Sequence, residues 1–392
     1  MTHPCDDIRG TLSRHLDHKT IVLGVTGSIA AVETVRLARH LIRHGADVIP
    51  VMTPAAREIL HPYALEFATG VAPVTELTGA VEHVEHCGAR PDNADMVLVA
   101  PCTANTLSKI ALGIDDTPVT TYATTALGSD VPVMVVPAMH ASMYDNTFVM
   151  GNLDRLREHH VAIIGPRREE GTAKIATVDT VVAHVLRMLG PHDLDGKRVI
   201  VVGGATAEPV DDVRVLTNRS SGTMARALAL TAFIRGADVE CWHSGLSIPD
   251  YITAKQYATH RDIIGLSKEA AHADVVVNCA AISDFVPERH EGKLSSETAM
   301  DLHLTPAERV NPYLRDIADT AVAFKLETSE EQAVERARVR LQQDDFDVMV
   351  ANTTASLGSD CMQAWIVDRS GHVTPVQGDK QTVADRLLDA IA

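Results

Sequence analysis

The chain twice runs a short, unbroken apolar stretch into a glycine-bearing turn, at Val22-Leu23-Gly24-Val25-Thr26-Gly27-Ser28 and again at Val199-Ile200-Val201-Val202-Gly203-Gly204-Ala205. An apolar run without polar alternation reads as a strand buried on both faces, which calls for helices on both sides of a parallel sheet. Glycine lets the backbone turn tightly. A helix that follows such a turn offers unpaired N–H groups and the positive end of its dipole to a phosphate. Neither turn spells the full G-x-G-x-x-G, so each alone is a weak signal for a nucleotide site.

The same alternation continues along the chain. Strands are expected near residues 20–26, 46–52, 95–100, 131–136 and 161–164, with helices over 29–44 and 139–159. That order predicts an α/β fold with a doubly wound parallel sheet. Breakers and charges concentrate between Leu189 and Lys197, placing a boundary between a domain at 1–189 and a second at 190–392. A chain of 392 residues is too long for one ordinary core and suits two. The second half should carry strands near 198–202, 237–243, 273–279, 321–326 and 346–351. A hairpin of 363–368 and 372–376 around Arg369-Ser370-Gly371 and a helix over 379–391 should close it. Gly45 and Gly236 are placed to end helices ahead of the next strand.

Composition narrows the partners. The formal net charge is −17, which argues against nucleic acid, since a phosphate backbone needs a basic surface. An acidic surface whose few cations are mostly arginine also fits adaptation to high salt, where screening relieves self-repulsion. The cysteines (Cys5, Cys87, Cys102, Cys241, Cys279, Cys361) form no C-x-x-C pair and read as reduced and cytoplasmic. Met1 to Arg9 is polar, without a secretory pattern, and runs such as Val131–Met139 are too short to span a membrane.

In the first half, V-T-G-S-I-A-A (Val25–Ala31), A-P-C-T-A-N-T (Ala100–Thr106) and P-A-M-H-x-x-M-Y (Pro137–Tyr144) follow strand C-termini. Together they resemble the flavin-dependent cysteine decarboxylases, and their order is similar to that of phosphopantothenoylcysteine decarboxylases. The resemblance implies a flavodoxin-like domain that binds FMN between subunits of a trimer. It implies flavin contacts from Gly27, Ser28, Ile29 and Thr53, extended by Asn105 and by Thr124-Thr125 in the next loop. The family's catalytic base corresponds to His83 in His83-Val84-Glu85, and histidine suits the role because its ordinary pKa lies near ~6.5. Read without the resemblance, His83, His86 and Cys87 are a metal cluster or a polar loop, and no second ligand pair accompanies them.

Two positions depart from the better-known members of that family. His140 stands where they have asparagine, and the region of their flap cysteine here reads Glu169-Glu170-Gly171-Thr172-Ala173-Lys174-Ile175-Ala176. Archaeal members share these replacements. The resemblance then implies that His140 holds the substrate carboxylate and Lys174 supplies the late proton.

In the second half, the run from Gly203 to Met224 includes Glu208-Pro209-Val210-Asp211-Asp212-Val213-Arg214 and Asn218-Arg219-Ser220-Ser221-Gly222. It resembles the signature of phosphopantothenate–cysteine ligases. Ser220 and Ser221 stand where the cap of a helix over 222–235 belongs. Ala280-Ala281-Ile282-Ser283-Asp284-Phe285, Gly292-Lys293-Leu294, Phe324-Lys325-Leu326-Glu327-Thr328 and Ala351-Asn352 are similar to further motifs of that family. The resemblance assigns Lys293 to the triphosphate and its transition-state charge, and Asn218 to the acyl intermediate. Ala281, Asp284, Phe324, Lys325 and Asn352 are assigned to a nucleotide, CTP in the bacterial bifunctional type. Magnesium is expected with the triphosphate. Glu208, Asp211 and Asp212 are available carboxylates, with solvated turn positions as the alternative, and the sequence leaves the metal ligands unknown.

Across both halves the resemblance implies a bifunctional, homo-oligomeric enzyme of coenzyme A biosynthesis, with trimeric decarboxylase and dimeric ligase units. Its small-molecule substrates would be phosphopantothenate, cysteine and CTP. Two other readings of the first half stay open, a flavin prenyltransferase and a phosphatase-binding subunit.

Overall fold

The computed structural model describes residues 3–169, 172–295 and 299–392, with only the backbone described at 168, 169 and 172–174. The chain divides into two compact units, Met1–Gly190 and Pro191–Ala392. In the first unit the strands are β1 (Thr20–Val25), β2 (Asp47–Met52), β3 (Met96–Cys102), β4 (Val133–Pro137) and β5 (Ala162–Ile163). They form one parallel sheet in the order β2-β1-β3-β4-β5. The runs read as doubly buried strands are so. Every residue of β3 and β4 is buried, and Val22, Val97, Val99 and Val135 belong to a core shared with Leu107, Tyr122 and Leu153 of the covering helices. A short hairpin follows, β6 (Arg167–Glu169) and β7 (Thr172–Lys174).

Two expected helices are interrupted. The 29–44 segment opens as a 3₁₀ turn, Ile29–Glu33, and becomes an α-helix only at Thr34–Arg43. The 139–159 segment splits into Ala141–Tyr144 and Thr147–Glu158, because the Asn146 side chain accepts the Phe148 N–H and starts a new helix.

The second unit is built on β8 (Arg198–Gly203), β11 (Asp238–His243), β12 (Thr253–Gln256), β13 (Ala273–Asn278), β16 (Ala318–Glu327), β17 (Val348–Thr353), β18 (Cys361–Asp368) and β19 (Val373–Asp379). Their order is β12-β11-β8-β13-β16-β17-β18-β19. The sheet is parallel from β12 to β17, and β18 and β19 add the expected antiparallel hairpin. Small hairpins β9 (Ala207–Pro209) with β10 (Val215–Thr217), and β14 (Phe285–Pro287) with β15 (Leu304–Pro306), stand apart from it. They stand between the second glycine turn and its helix: the chain leaves Gly204 into β9 and β10, and the helix expected over 222–235 runs over Thr223–Ile234.

In both sheets the first strand lies inside the sheet and its successors are laid down on either side. The strand order therefore reverses between β1 and β3 in one unit and between β8 and β13 in the other. Such switch points leave a crevice beyond the strand C-termini, where α/β folds bind ligands. Among the described residues, no helix is long and apolar enough to cross a membrane.

Candidate active sites

In the first unit, buried Thr26 welds the crevice shut at its base. Its hydroxyl donates to the Pro101 carbonyl at 2.7 Å and accepts the Thr103 N–H at 3.0 Å, tying the ends of β1 and β3 together. Gly27 follows because nothing larger fits: an added Cβ would stand 2.5 Å from the Ala55 Cβ. The Ser28 hydroxyl then caps the 3₁₀ turn through the Ala30 N–H, leaving the Ile29 side chain 79% exposed at the mouth of a cavity. That cavity, about 850 Å³, is lined by Ser28, Ile29, Pro101, Met139, His140 and Arg167 among others. Its size suits an FMN-sized group. His140 presents itself there as the cap of Ala141–Tyr144, its Nδ1 accepting the Ser142 N–H at 3.3 Å.

Thr53, Asn105, Thr124, Thr125 and His83 are not among the residues lining that cavity. Thr53 is 5% exposed and its hydroxyl is engaged by the Ala56 N–H, so it serves as a helix cap. Asn105 is exposed in the first turn of Ala104–Leu112. Thr124 and Thr125 are not in a loop, as expected, but inside the helix Pro118–Leu127. There Thr125 donates to the Thr121 carbonyl at 2.8 Å and Thr124 faces outward. His83 is on a helical turn, Glu82–Cys87, half-buried, with an Nδ1 that has no hydrogen-bond partner among the described residues. Its neighbours are structural: His86 Nδ1 meets the Tyr122 hydroxyl at 2.8 Å, and burial pushes the Cys87 thiol up to about 12. Lys174 ends β7 opposite Arg167, and its side chain lies outside the described residues, as do Glu170 and Gly171 entirely.

In the second unit the β8–β13 crevice is stitched in the same way. The Ala281 N–H donates to the Gly204 carbonyl at 2.8 Å, and the Thr206 hydroxyl accepts the Ser283 N–H at 2.9 Å. Asn218 is drawn onto the same loop, its Nδ2 donating to the carbonyls of Ala281 at 3.2 Å and Ile282 at 3.1 Å. Ser220 and Ser221 do not cap the following helix. Gly222, with φ +66°, occupies the cap position without a side-chain bond, while the Ser220 hydroxyl accepts the Gly222 N–H and Ser221 pairs with Thr223.

These residues open onto a cavity of about 870 Å³, lined by Arg219, Ser221, Ala281, Phe324, Asn352 and Lys380 among others. Strand alternation sorts the β16 motif. Phe324 and Leu326 line the cavity, whereas Lys325 turns away from it to Glu327 at 3.1 Å, and Arg336 also reaches Glu327. Asp284 is exposed and does not line the cavity, and neither does Lys293. Lys380, which the motifs passed over, donates to the Thr223 hydroxyl from the first turn of the last helix. Arg219 sat inside the quoted run and was likewise passed over. For Arg219 the sequence holds one signal, a cation between small polar residues in an acidic chain; Lys380, directly after Asp379, carries none.

Two of the three candidate metal carboxylates are not solvated. Glu208 is 3% exposed and accepts the His260 backbone N–H at 3.0 Å, with His260 Nδ1 lying 3.0 Å from its other oxygen. Asp211 is 2% exposed. Burial works to raise its carboxyl, but the N–H groups of Val213, Arg214 and Leu294 and the Arg214 guanidinium outweigh it and hold it down to about 2. Asp212 is exposed and paired with Arg289 at 3.2 Å.

Residues 9–190 match the flavoprotein family and residues 194–392 match the DNA/pantothenate metabolism flavoprotein C-terminal domain, so the class is a flavoprotein unit joined to a ligase unit. Over 400 positions the chain is 44% identical to the coenzyme A biosynthesis bifunctional protein CoaBC of Thermococcus kodakarensis, covering 100% of this chain and 99% of that protein. The protein of the same description from Methanocaldococcus jannaschii is 36% identical (99% and 97% covered), and that from Vibrio cholerae 31% (87% and 88%). The chain belongs to this family of bifunctional coenzyme A biosynthesis enzymes, decarboxylase in its first unit and ligase in its second.

Proposed function

We propose that the second unit joins phosphopantothenate to cysteine at the expense of CTP, and that the first unit decarboxylates the product with FMN to give phosphopantetheine. The observation that carries this is the pair of cavities at the two switch points, each lined by part of one motif set. In the ligation, a carboxylate oxygen of phosphopantothenate attacks the α-phosphorus of CTP and diphosphate leaves. The cysteine amine then displaces CMP from the acyl carbon and loses a proton. Asn218, held by two carbonyls, keeps its amide oxygen available to the acyl group, and Lys293, on a loop outside the cavity lining, would meet the charge on the phosphates that Mg²⁺ would help to neutralise.

In the first unit, Gly27, Ser28 and Ile29 would hold FMN, whose chemistry there is reversible two-electron oxidation at the thiol-bearing carbon. His140 holds the carboxylate that leaves as CO₂, His83 accepts a proton and Lys174 returns one. His83, Asn105 and Thr124 do not line the cavity of their own unit, which supports a site completed by a neighbouring subunit in a trimer; pairing of the ligase units as dimers rests on the family resemblance alone. Free cysteines, four of them buried, support a reducing cytoplasm. Mass spectrometry after incubation with phosphopantothenate, cysteine, CTP, Mg²⁺ and FMN tests both reactions. Phosphopantetheine is the expected product; phosphopantothenoylcysteine alone would leave only the ligase standing. Lys174→Ala with undiminished decarboxylation would remove Lys174 from the mechanism.

A further inference from the structure

Lys293 is exposed and has no hydrogen-bond or ion-pair partner among the described residues, yet the backbone on both sides of it is pinned. On one side Gly292 and Asp212 exchange bonds: the Gly292 N–H donates to Asp212 Oδ2 at 3.0 Å, and the Gly292 carbonyl accepts the Asp212 N–H at 3.3 Å. On the other side the Leu294 N–H donates to Asp211 Oδ2 at 3.1 Å, and the Leu294 carbonyl accepts Arg214 Nη1 at 3.2 Å.

Asp211 ties its own turn to Leu294. Its Oδ1 takes the N–H groups of Val213 at 2.8 Å and Arg214 at 2.6 Å, and its Oδ2 takes Arg214 Nη1 at 2.6 Å as well as Leu294. An ionised carboxylate offers about four lone-pair sites, and all are used, so no site is left for a metal ion or a reactant. Lysine has a flexible stem with roughly 2 kcal/mol of rotamer entropy, so the backbone from which it springs decides where its ammonium can dwell. Asp211 and Asp212 remove the backbone share of that freedom.

We propose that Asp211, locked by Arg214, is a positioning residue for Lys293: through Leu294 it fixes the point from which the ammonium meets the phosphates during acyl-nucleotide formation. The proposal rests on the ligase reading of Lys293 above. Asp211 touches no reactant and acts across 83 residues of sequence, through one backbone bond.

The test uses the full FMN-loaded chain as wild type, Lys293→Ala, Asp211→Asn and the double variant. Diphosphate release from CTP and phosphopantothenate without cysteine isolates the first half-reaction. Hydrogen exchange reads the Gly292 and Leu294 amides. Asp211→Asn keeps the shape but sets an amide against N–H donors. It is expected to lower kcat about 10- to 100-fold while KM for CTP and phosphopantothenate stays within about two-fold. Exchange at Leu294 should quicken, and decarboxylation of supplied phosphopantothenoylcysteine should be unchanged. On the Lys293→Ala background the same change should cost less than about two-fold more, because the two residues act as one unit. An undiminished kcat in Asp211→Asn with Lys293→Ala inactive overturns the positioning role alone. A full additional loss in the double variant overturns it too. A fully active Lys293→Ala overturns the ligase reading of Lys293 first. Should Asp211→Asn fail to fold, Asp212→Asn, an exposed change on the other flank, carries the same comparison through Gly292.

Discussion

Replacing Gly203 with alanine tests whether close approach of helix to strand, rather than turn flexibility, is what this glycine provides. Gly203 ends β8, and its φ is not in the left-handed region, unlike that of Gly204. An added Cβ would fall inside the Cβ of Ala225, 3.4 Å from its Cα and 3.3 Å from Cys279 Sγ. Saturated carbons prefer about 3.5–4.0 Å, so the helix Thr223–Ile234 would have to retreat by more than about 1 Å. Ala225, Leu228, Ala229 and Ala232 are all buried on that helix, and no flexible side chain can absorb the shift. Overpacking of this kind costs about 3 kcal/mol at the upper end of its usual range. For a unit of this size that lowers the melting midpoint by about 6–12 °C. The assay is selective, because both tryptophans, Trp242 and Trp365, are buried in the second unit and their fluorescence reports that unit alone. Gly265→Ala is the control of opposite sign. It sits mid-helix with nothing within 4 Å of the added carbon, and alanine there should stabilise by about 0.5–1 kcal/mol. A Gly203→Ala midpoint equal to wild type would refute the packing argument.

Three further outcomes are expected. Burial, then the neighbouring His40 and His15, push His44 down to about 4, so its contribution to stability is complete above the unfolded value of ~6.5 and is lost as pH falls toward 4. The loss approaches about 3 kcal/mol, and urea unfolding of the first unit at pH 7 and pH 4 should lose that part of its pH dependence in His44→Gln. Arg235, nearly buried, grips Asp193 with two nitrogens and Asp389 at 2.9 Å; Arg235→Met should cost about 2 kcal/mol in tryptophan-detected unfolding, and no change would show the network idle. With a net charge of −17, the unfolding midpoint should rise with potassium chloride, and a flat response between low and high salt would remove self-repulsion as a factor.

The strands were legible in the sequence because doubly buried strands are unbroken apolar runs, as Val22–Leu23 and Val199–Val202 are. β12 was not. Its residues, Thr253–Gln256, pair with a single neighbour at the sheet edge and stay largely exposed, so they carry no apolar pattern. The interruption at Asn146 had a local signal, a good cap residue, hidden inside a helical period. The split of Thr124 and Asn105 from the cavity had none, because motif spacing gives proximity along the chain and not the side of the sheet on which a helix lands.

By itself the sequence determined which segments become the buried central strands, where two crevices form and which chemical groups are present, since these follow from local hydrophobicity and from turn and motif residues. Only the tertiary structure decided which of those groups meet. Phe324 faces a cavity while Lys325 beside it does not, Lys380 reaches Thr223, and Asp211 holds Leu294. Such meetings depend on pleat, crossover and packing between segments far apart in the chain, and no local pattern encodes them.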